Sequence, residues 1–296
     1  MKPAAFQYHR PASLDQALGL LAGHGAEARV IAGGQSLVPM MNLRMARPEH
    51  LIDLRGIPGL AGITEEGGAL RIGALVTHQT IATSALVAAR CPMLSDAAAT
   101  IAHYAIRTQG TIGGSLAHAD PAAQFAAVVV ALQADLTVSG PSGGRRIASR
   151  EFFQALMMTA LEADEILTAV SLAAIAPGQG QAFRMFGLRH GDFAVATVAA
   201  DIRVDAAGML AALRLVVGGV APTPVVLDAL AADRLGKPVD DRLAIALARQ
   251  ARAAIEPFDT PGVSVEFRRE QVEVLVADAL GAALSDARAG NRGSGR

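Results

Sequence analysis

The spacing of apolar and polar positions divides the chain into three stretches with different rhythms. In the first, Leu14, Ala17, Leu18, Leu21 and Ala22 recur at helical intervals, and Gly23 and Gly25 end the run. Ser13 precedes them with Gln16 three residues on, a pattern that predicts a capped helix start. Val30–Ala32 and His50–Leu54 are short apolar runs of strand type, so this stretch predicts a β-α-β-like unit. Between them Met40, Met41, Leu43 and Met45 predict an irregular helical turn used as core filler. Gly56-Ile57-Pro58-Gly59 is punctuation.

In the second stretch, strands are predicted at Ala69–Leu75 and Glu165–Leu172, and a helix capped by Thr77 runs through Ile81. Pro92–Ile106 has the apolar spacing of one helix, and Pro121–Leu132 is helical or buried. Asp135–Ser139 and Arg145–Ile147 flank a five-residue hairpin loop at 140–144. Ser149 caps a short helix holding Phe152 and Phe153. Pro177-Gly178-Gln179-Gly180-Gln181 is the clearest linker.

Beyond it, Ala182–Leu188, Phe193–Val204 and Leu210–Gly218 predict strands, with a turn at Asp205–Gly208. Helices are predicted over Val225–Ala232, Asp240–Ala254 and Val265–Leu284. The polar, glycine-rich residues 285–296 predict a disordered tail. Sheet followed by helices is the order of an α+β fold.

Composition narrows the function classes. The chain has 296 residues, 52% of them hydrophobic, and a net charge of −1 with no basic block. That balance argues against a nucleic-acid partner. One cysteine, Cys91, leaves neither an internal disulfide nor a cluster held by about four thiolates. The first residues lack the apolar core of a signal peptide, and no apolar run is long enough to span a membrane, so a cytoplasmic location is expected. The seven histidines (9, 24, 50, 78, 103, 118 and 190) are scattered along the chain without metal-ligand spacing, and no metal site is expected.

Two glycine segments carry the candidate chemistry. Ala32-Gly33-Gly34-Gln35-Ser36-Leu37 follows a strand, and Thr111-Ile112-Gly113-Gly114-Ser115 sits between alanine-rich apolar segments. Paired glycines let backbone N–H groups converge on an anion, and the Thr and Ser hydroxyls can add donors. Two such loops fit the two phosphates of a dinucleotide. Neither is followed by Gly-Lys-Ser/Thr, and GxGxxG is absent, which excludes a P-loop and a Rossmann turn.

The stretches at 32–54 and 106–123 resemble the flavin-binding segments of the medium, FAD-binding subunits of molybdenum hydroxylases. Leu188–Ala200 and Val217–Leu227 extend the resemblance over nearly the whole chain. It implies a two-lobed FAD-binding domain of the vanillyl-alcohol oxidase type, with lobes at 1–57 and 58–176. A smaller α+β domain at 177–284, antiparallel sheet plus helices, would follow. The resemblance implies FAD as cofactor, cradled by the two glycine segments, with Asp120 facing the ribityl–ring region and Phe193 lying against the isoalloxazine. Asp120 reads equally as an Asx turn before Pro121, and His118 as a structural helix-end residue. Arg184 is placed either at the flavin's pyrimidine edge or in a surface salt bridge. Gln124 stands where the family usually has Asp or Glu, which keeps an acceptor and loses a charge. Leu188 replaces the first arginine of the family's Arg-Arg-x-Gly-Asp-Phe segment.

No catalytic residue is expected in this chain, because the cofactor carries the chemistry. The implied partners are a large molybdopterin-binding subunit and a small [2Fe–2S] subunit in a heterotrimer, with electrons leaving the flavin to an external acceptor. A self-sufficient flavin oxidoreductase and a cofactor-free scaffold are the rival readings.

Overall fold

The computed structural model describes residues 2–240 and 242–293. The first unit holds β1 (Gln7–His9), α1 (Leu14–His24), β2 (Ala28–Ile31), α2 (Leu37–Asn42) and β3 (His50–Asp53). Its three strands form a parallel sheet in the order β1-β3-β2. Ser13 accepts a hydrogen bond from the Gln16 N–H at 3.2 Å, and Gln16 accepts one from the Ala12 N–H at 2.9 Å. Two N–H groups at the start of α1 are thereby satisfied. Ala17, Leu18 and Leu21 bury one face of α1 against Ile52 and Leu54.

The second unit comprises β4 (Ile63–Glu66), β5 (Ala69–Gly73), α3 (His78–Thr83), α4 (Ala85–Arg90), α5 (Pro92–Thr100), α6 (Tyr104–Arg107), α7 (Ile112–His118), α8 (Gln124–Ala131), β6 (Asp135–Gly140), β7 (Gly143–Ala148), α9 (Ser149–Phe152), β8 (Phe153–Ala155), β9 (Met158–Thr159) and β10 (Ile166–Ala173). Five strands form an antiparallel sheet in the order β4-β5-β10-β6-β7. Every residue of α8 is buried, so periodicity alone could not assign a face to it.

Several expectations change here. The single helix at Pro92–Ile106 is two, α5 and α6, because Ala102 adopts a left-handed φ of 41°. The Arg107 guanidinium fastens the break by donating to the carbonyls of Ile101 and Ala102 at 2.9 and 3.1 Å. The five-residue hairpin loop is a two-residue turn at Pro141–Ser142, since Gly140 pairs with Gly143. Phe153 leaves the short helix and opens β8.

The third unit holds β11 (Gln179–Phe186), β12 (Ala196–Val204), β13 (Leu210–Gly218), β14 (Val225–Val226), α10 (Leu243–Ala254) and α11 (Val265–Gly293). The antiparallel sheet runs β11-β12-β13-β14. One face packs on α10 and α11. Phe183, Ala199 and Val216 turn the other way, into the core of the second unit. Residues 196–202 of β12 are consequently buried without alternation.

The helix expected over Val225–Ala232 is the short strand β14 followed by a 3₁₀ turn at Asp228–Arg234. Asp228 holds this segment at the sheet edge by accepting from the Leu215 N–H at 2.9 Å and pairing with Arg214 and Arg150. The expected disordered tail is also corrected, because α11 continues to Gly293; residues 294–296 lie outside the described residues. The expected linker shortens for the same reason. A β-carbon on Gly180 would lie 1.9 Å from the Ala283 carbonyl oxygen and 2.6 Å from the Ala287 nitrogen. Gly180 thus lets β11 start early and press against the last turns of α11, whose Leu284 and Ala287 are buried.

Candidate functional site

The first glycine segment leaves the C-terminal end of β2 and turns into α2. Gly34 adopts a φ of 71°, a left-handed conformation that glycine takes at no steric cost. The Gln35 side chain donates to the Gly33 carbonyl at 2.9 Å, and the Val38 N–H bonds the Gly34 carbonyl at 3.0 Å. Among the described residues, no protein acceptor faces the backbone N–H groups of Gly33, Gly34, Gln35, Ser36 and Leu37. Five consecutive free donors on a glycine turn at a helix start are suited to an anion. Ser36 makes no capping bond to α2, so its hydroxyl is not engaged there.

The second segment differs from its expected form. It is not a loop but the start of α7, with buried Thr111 as its N-cap. Its N–H groups are already used: Ile112 bonds the Val76 carbonyl, Gly113 the Ala74 carbonyl at 2.9 Å, Ser115 the Thr111 carbonyl, and Gly114 the Thr111 hydroxyl oxygen at 3.1 Å. A β-carbon on Gly113 would meet Ala74 at 2.5 Å, and one on Gly110 would meet the His78 ring at 2.8 Å. These two glycines serve close packing. What the segment presents outward is the half-buried Ser115 hydroxyl and the half-buried Gly114 face, with the Thr111 hydroxyl buried beneath them.

Tertiary packing brings the two segments together. Gly33 touches the Gln109–Gly110 backbone, and Gly114 looks toward Ala32, whose Cβ would be 3.7 Å from an added β-carbon. Asp120 accepts from the Ala122 N–H at 2.8 Å, forming the Asx turn. His118 is the last residue of α7, half-buried, before Ala119 at φ 52°. Gln124 opens α8, is buried, and places its amide nitrogen 3.6 Å from the Met185 sulfur of β11.

Phe193 lies in the connection from β11 to β12 and is 70% exposed, so it is not the buried core residue that burial statistics favour. Its neighbour Leu188 is also exposed. Gly191 of the same connection packs against the His103 ring just before α6, where a β-carbon would come within 2.4 Å. The exposed Phe193 loop is therefore tied to the helix that leads into the second glycine segment. Arg184 is placed elsewhere. It pairs with Asp278 of α11 at 2.9 Å, on the opposite side of β11 from Met185 and Gln124, as alternating strand residues require.

Sequence reading missed His78. It caps the underside of the second segment against Gly110, edge-on to Phe125 at 5.2 Å. Burial pushes its imidazole down to about 4, opposed by the Thr111 backbone, and neither ring nitrogen has a full hydrogen bond. Only Thr77 at the start of α3 hinted at an ordered element there. Cys91 is buried and its thiol is pushed up to about 12, chiefly by desolvation; it is an inert core thiol. The expectation of scattered histidines is corrected for three of them, because His9, His24 and His50 converge. The described residues include no helix long and apolar enough to cross a membrane.

Residues 4–173 match the family described as FAD binding domain in molybdopterin dehydrogenase, and residues 181–283 match CO dehydrogenase flavoprotein C-terminal domain. The chain is 37% identical over 288 residues to the 6-hydroxypseudooxynicotine dehydrogenase complex subunit alpha of Paenarthrobacter nicotinovorans, covering 97% of each chain. It is 36% identical to the carbon monoxide dehydrogenase medium chain of Hydrogenophaga pseudoflava, over 96% of this chain and 98% of that one. A solved structure of carbon monoxide dehydrogenase from the latter organism superposes with a TM-score of 0.92 at 38% identity, over 96% of this chain and 99% of that one. Quinoline 2-oxidoreductase from Pseudomonas putida 86 gives 0.91 at 33%, over 97% and 99%. With both family matches in order and relatives aligned over nearly its full length, the chain belongs to the FAD-binding medium subunits of the molybdenum hydroxylases.

Proposed function

We propose that this chain is the electron-transfer subunit of a heterotrimeric molybdenum hydroxylase, receiving electrons from the [2Fe–2S] clusters of a small partner and delivering them to an external acceptor. A large partner would carry the molybdopterin centre where substrate is oxidised. The five unpaired N–H groups of Gly33 to Leu37 carry this reading. They are the donor set an anionic diphosphate needs, and they lie beside the Thr111 and Ser115 hydroxyls. FAD, when bound, supplies the redox chemistry.

The chain's own residues then have positioning roles. Ala32 to Leu37 would hold one phosphate and the Thr111–Ser115 face the other. His118, Asp120 and Gln124 lie along the continuation from α7 to α8, and Asp120 keeps a carboxylate oxygen beyond the one used in its Asx turn. Phe193 would cover the flavin ring. The lobes at 1–57 and 58–176 would each contribute one glycine segment. In this reading the electrons come from another chain, since the single cysteine is buried and cannot hold a cluster.

The purified chain should show an oxidised-flavin spectrum and be bleached by a strong chemical reductant. It should not reduce a dye with purines, aldehydes, carbon monoxide or N-heterocycles until partner subunits are co-expressed. Substrate-dependent dye reduction by the single chain would favour a self-sufficient oxidoreductase, and a colourless, flavin-free chain would favour a scaffold.

A further inference from the structure

We propose that His9, His24 and His50 form a three-imidazole site for a divalent transition-metal cation, clipping the end of α1 to the three-stranded sheet. The three lie far apart in the sequence and meet through the β-α-β fold. His9 ends β1, His24 ends α1 and His50 opens β3. One ring nitrogen from each lies within 4.8 Å of the others. His9 Nε2 and His50 Nδ1 are 3.0 Å apart, and the His24 ring stacks on His50 at 3.6 Å between centroids.

A hydrogen bond already holds the His9 and His50 rings together, and a bound ion would exchange it for two metal–nitrogen bonds. Tetrahedral Zn²⁺ holds imidazole nitrogens at about 2.0–2.1 Å, which puts two ligand nitrogens roughly 3.3 Å apart. The His9–His50 pair needs to open by only a few tenths of an ångström, and a rotation of the His24 ring brings in the third ligand. Two ligands stand on strands of one sheet, with β1 and β3 paired Gln7 to His50, so their spacing is fixed by the backbone. The third stands at the C-terminus of an 11-residue helix, where the carbonyl end of the dipole favours a cation. An all-imidazole set selects Zn²⁺, Cu²⁺ or Ni²⁺ over Mg²⁺ or Ca²⁺. All three rings are only half-buried, so an ion can enter and a solvent molecule can take the fourth position.

The site is separate from the flavin cradle. His50 is level with Ala28 at the beginning of β2, whereas the first glycine segment follows Ile31 at its end. Metal binding and flavin binding can therefore be lost independently.

The test is calorimetric titration of the full-length, flavin-loaded chain with zinc chloride after chelator treatment and desalting. One saturable equivalent is expected, with a rise in melting temperature on addition of zinc. His24→Ala and His50→Ala should each weaken that binding by more than about a hundredfold, the scale for loss of a ligand rather than of its supporting shell. His103→Ala, which alters the separate His103–His190 ring contact at 5.9 Å, should leave it unchanged. Should His50→Ala misfold, His24→Ala at the solvent-facing helix end and the ligand-preserving His24→Asp give the same comparison. Flavin content should match wild type in the His24 variants. Absence of a one-to-one zinc isotherm, or one that survives both alanine variants, would overturn the proposal.

Discussion

A β-carbon on Gly33 would sit 2.1 Å from the carbonyl oxygen of Gln109. The backbone of the first glycine turn therefore rests directly on the backbone that enters the second, and this contact unites the two segments in one site. Gly114 has no backbone contact of this kind: its added β-carbon would meet the Thr111 hydroxyl oxygen at 3.0 Å, where that side chain must give by a few tenths of an ångström, and Ala32 at 3.7 Å.

The two glycines should accordingly respond differently to alanine. Gly33→Ala forces the turn and the Gln109 segment apart and should cost about 1–3 kcal/mol, the range for overpacking, together with most of the bound flavin. Gly114→Ala should keep both, whereas Gly114→Val crowds the outward face and should lose flavin with less loss of stability. Equal flavin content in Gly33→Ala and wild type, read from the absorbance ratio of flavin to protein, would contradict this.

Phe193 is mostly solvent-exposed, so Phe193→Ala removes little packing and should leave the melting temperature of the flavin-free chain within about 1 °C. If the ring covers the flavin, the reduced holoprotein should reoxidise faster in air. An unchanged reoxidation rate would show that the loop does not reach the cofactor.

His78 gives the chain a definite acid response. Its folded imidazole titrates near 4, against about 6.5 when unfolded. Between those values the unfolded chain binds a proton that the folded chain refuses, so stability falls as pH drops from about 6.5 toward 4. The full linkage is on the order of 3 kcal/mol. In His78→Gln the slope of unfolding free energy over this window should be shallower than in wild type, measured by urea titration at several pH values. Parallel slopes would mean that His78 is not held neutral by burial.

Arg268 is a buried guanidinium at the start of α11. It donates to the Val195 carbonyl at 2.7 Å, to the Gly219 carbonyl and to the Thr260 hydroxyl at 2.8 Å, with Phe258 stacked over it at 4.9 Å. Desolvation lowers its pKa. Arg268→Met keeps the apolar stem but strands two backbone carbonyls, and should cost about 2–3 kcal/mol. A denaturant midpoint equal to wild type would show those carbonyls to be satisfied otherwise.

The sequence by itself determined whatever depends on neighbours within a few residues. The Ser13–Gln16 cap, the strand leading into Gly33 and the Asx turn of Asp120 are set by local hydrogen bonding and backbone freedom. The glycine positions and the motifs around them also identified the family, because close backbone approach leaves few residues to choose from. Tertiary structure decided which donors remain free and which side chains meet. Gly113 and Gly114 have the composition of an anion loop, yet Ala74, Val76 and Thr111 consume the N–H groups of that turn. Gly180 and Ala287 lie in segments that look like linker and tail, but they pack on one another. His9, His24 and His50 share no local spacing and converge only because two parallel strands and the end of α1 align in register. Arg184 meets Asp278 rather than the cradle because strand alternation points it at α11. Packing energies act between residues distant in sequence, and they reassigned groups that local pattern had left open.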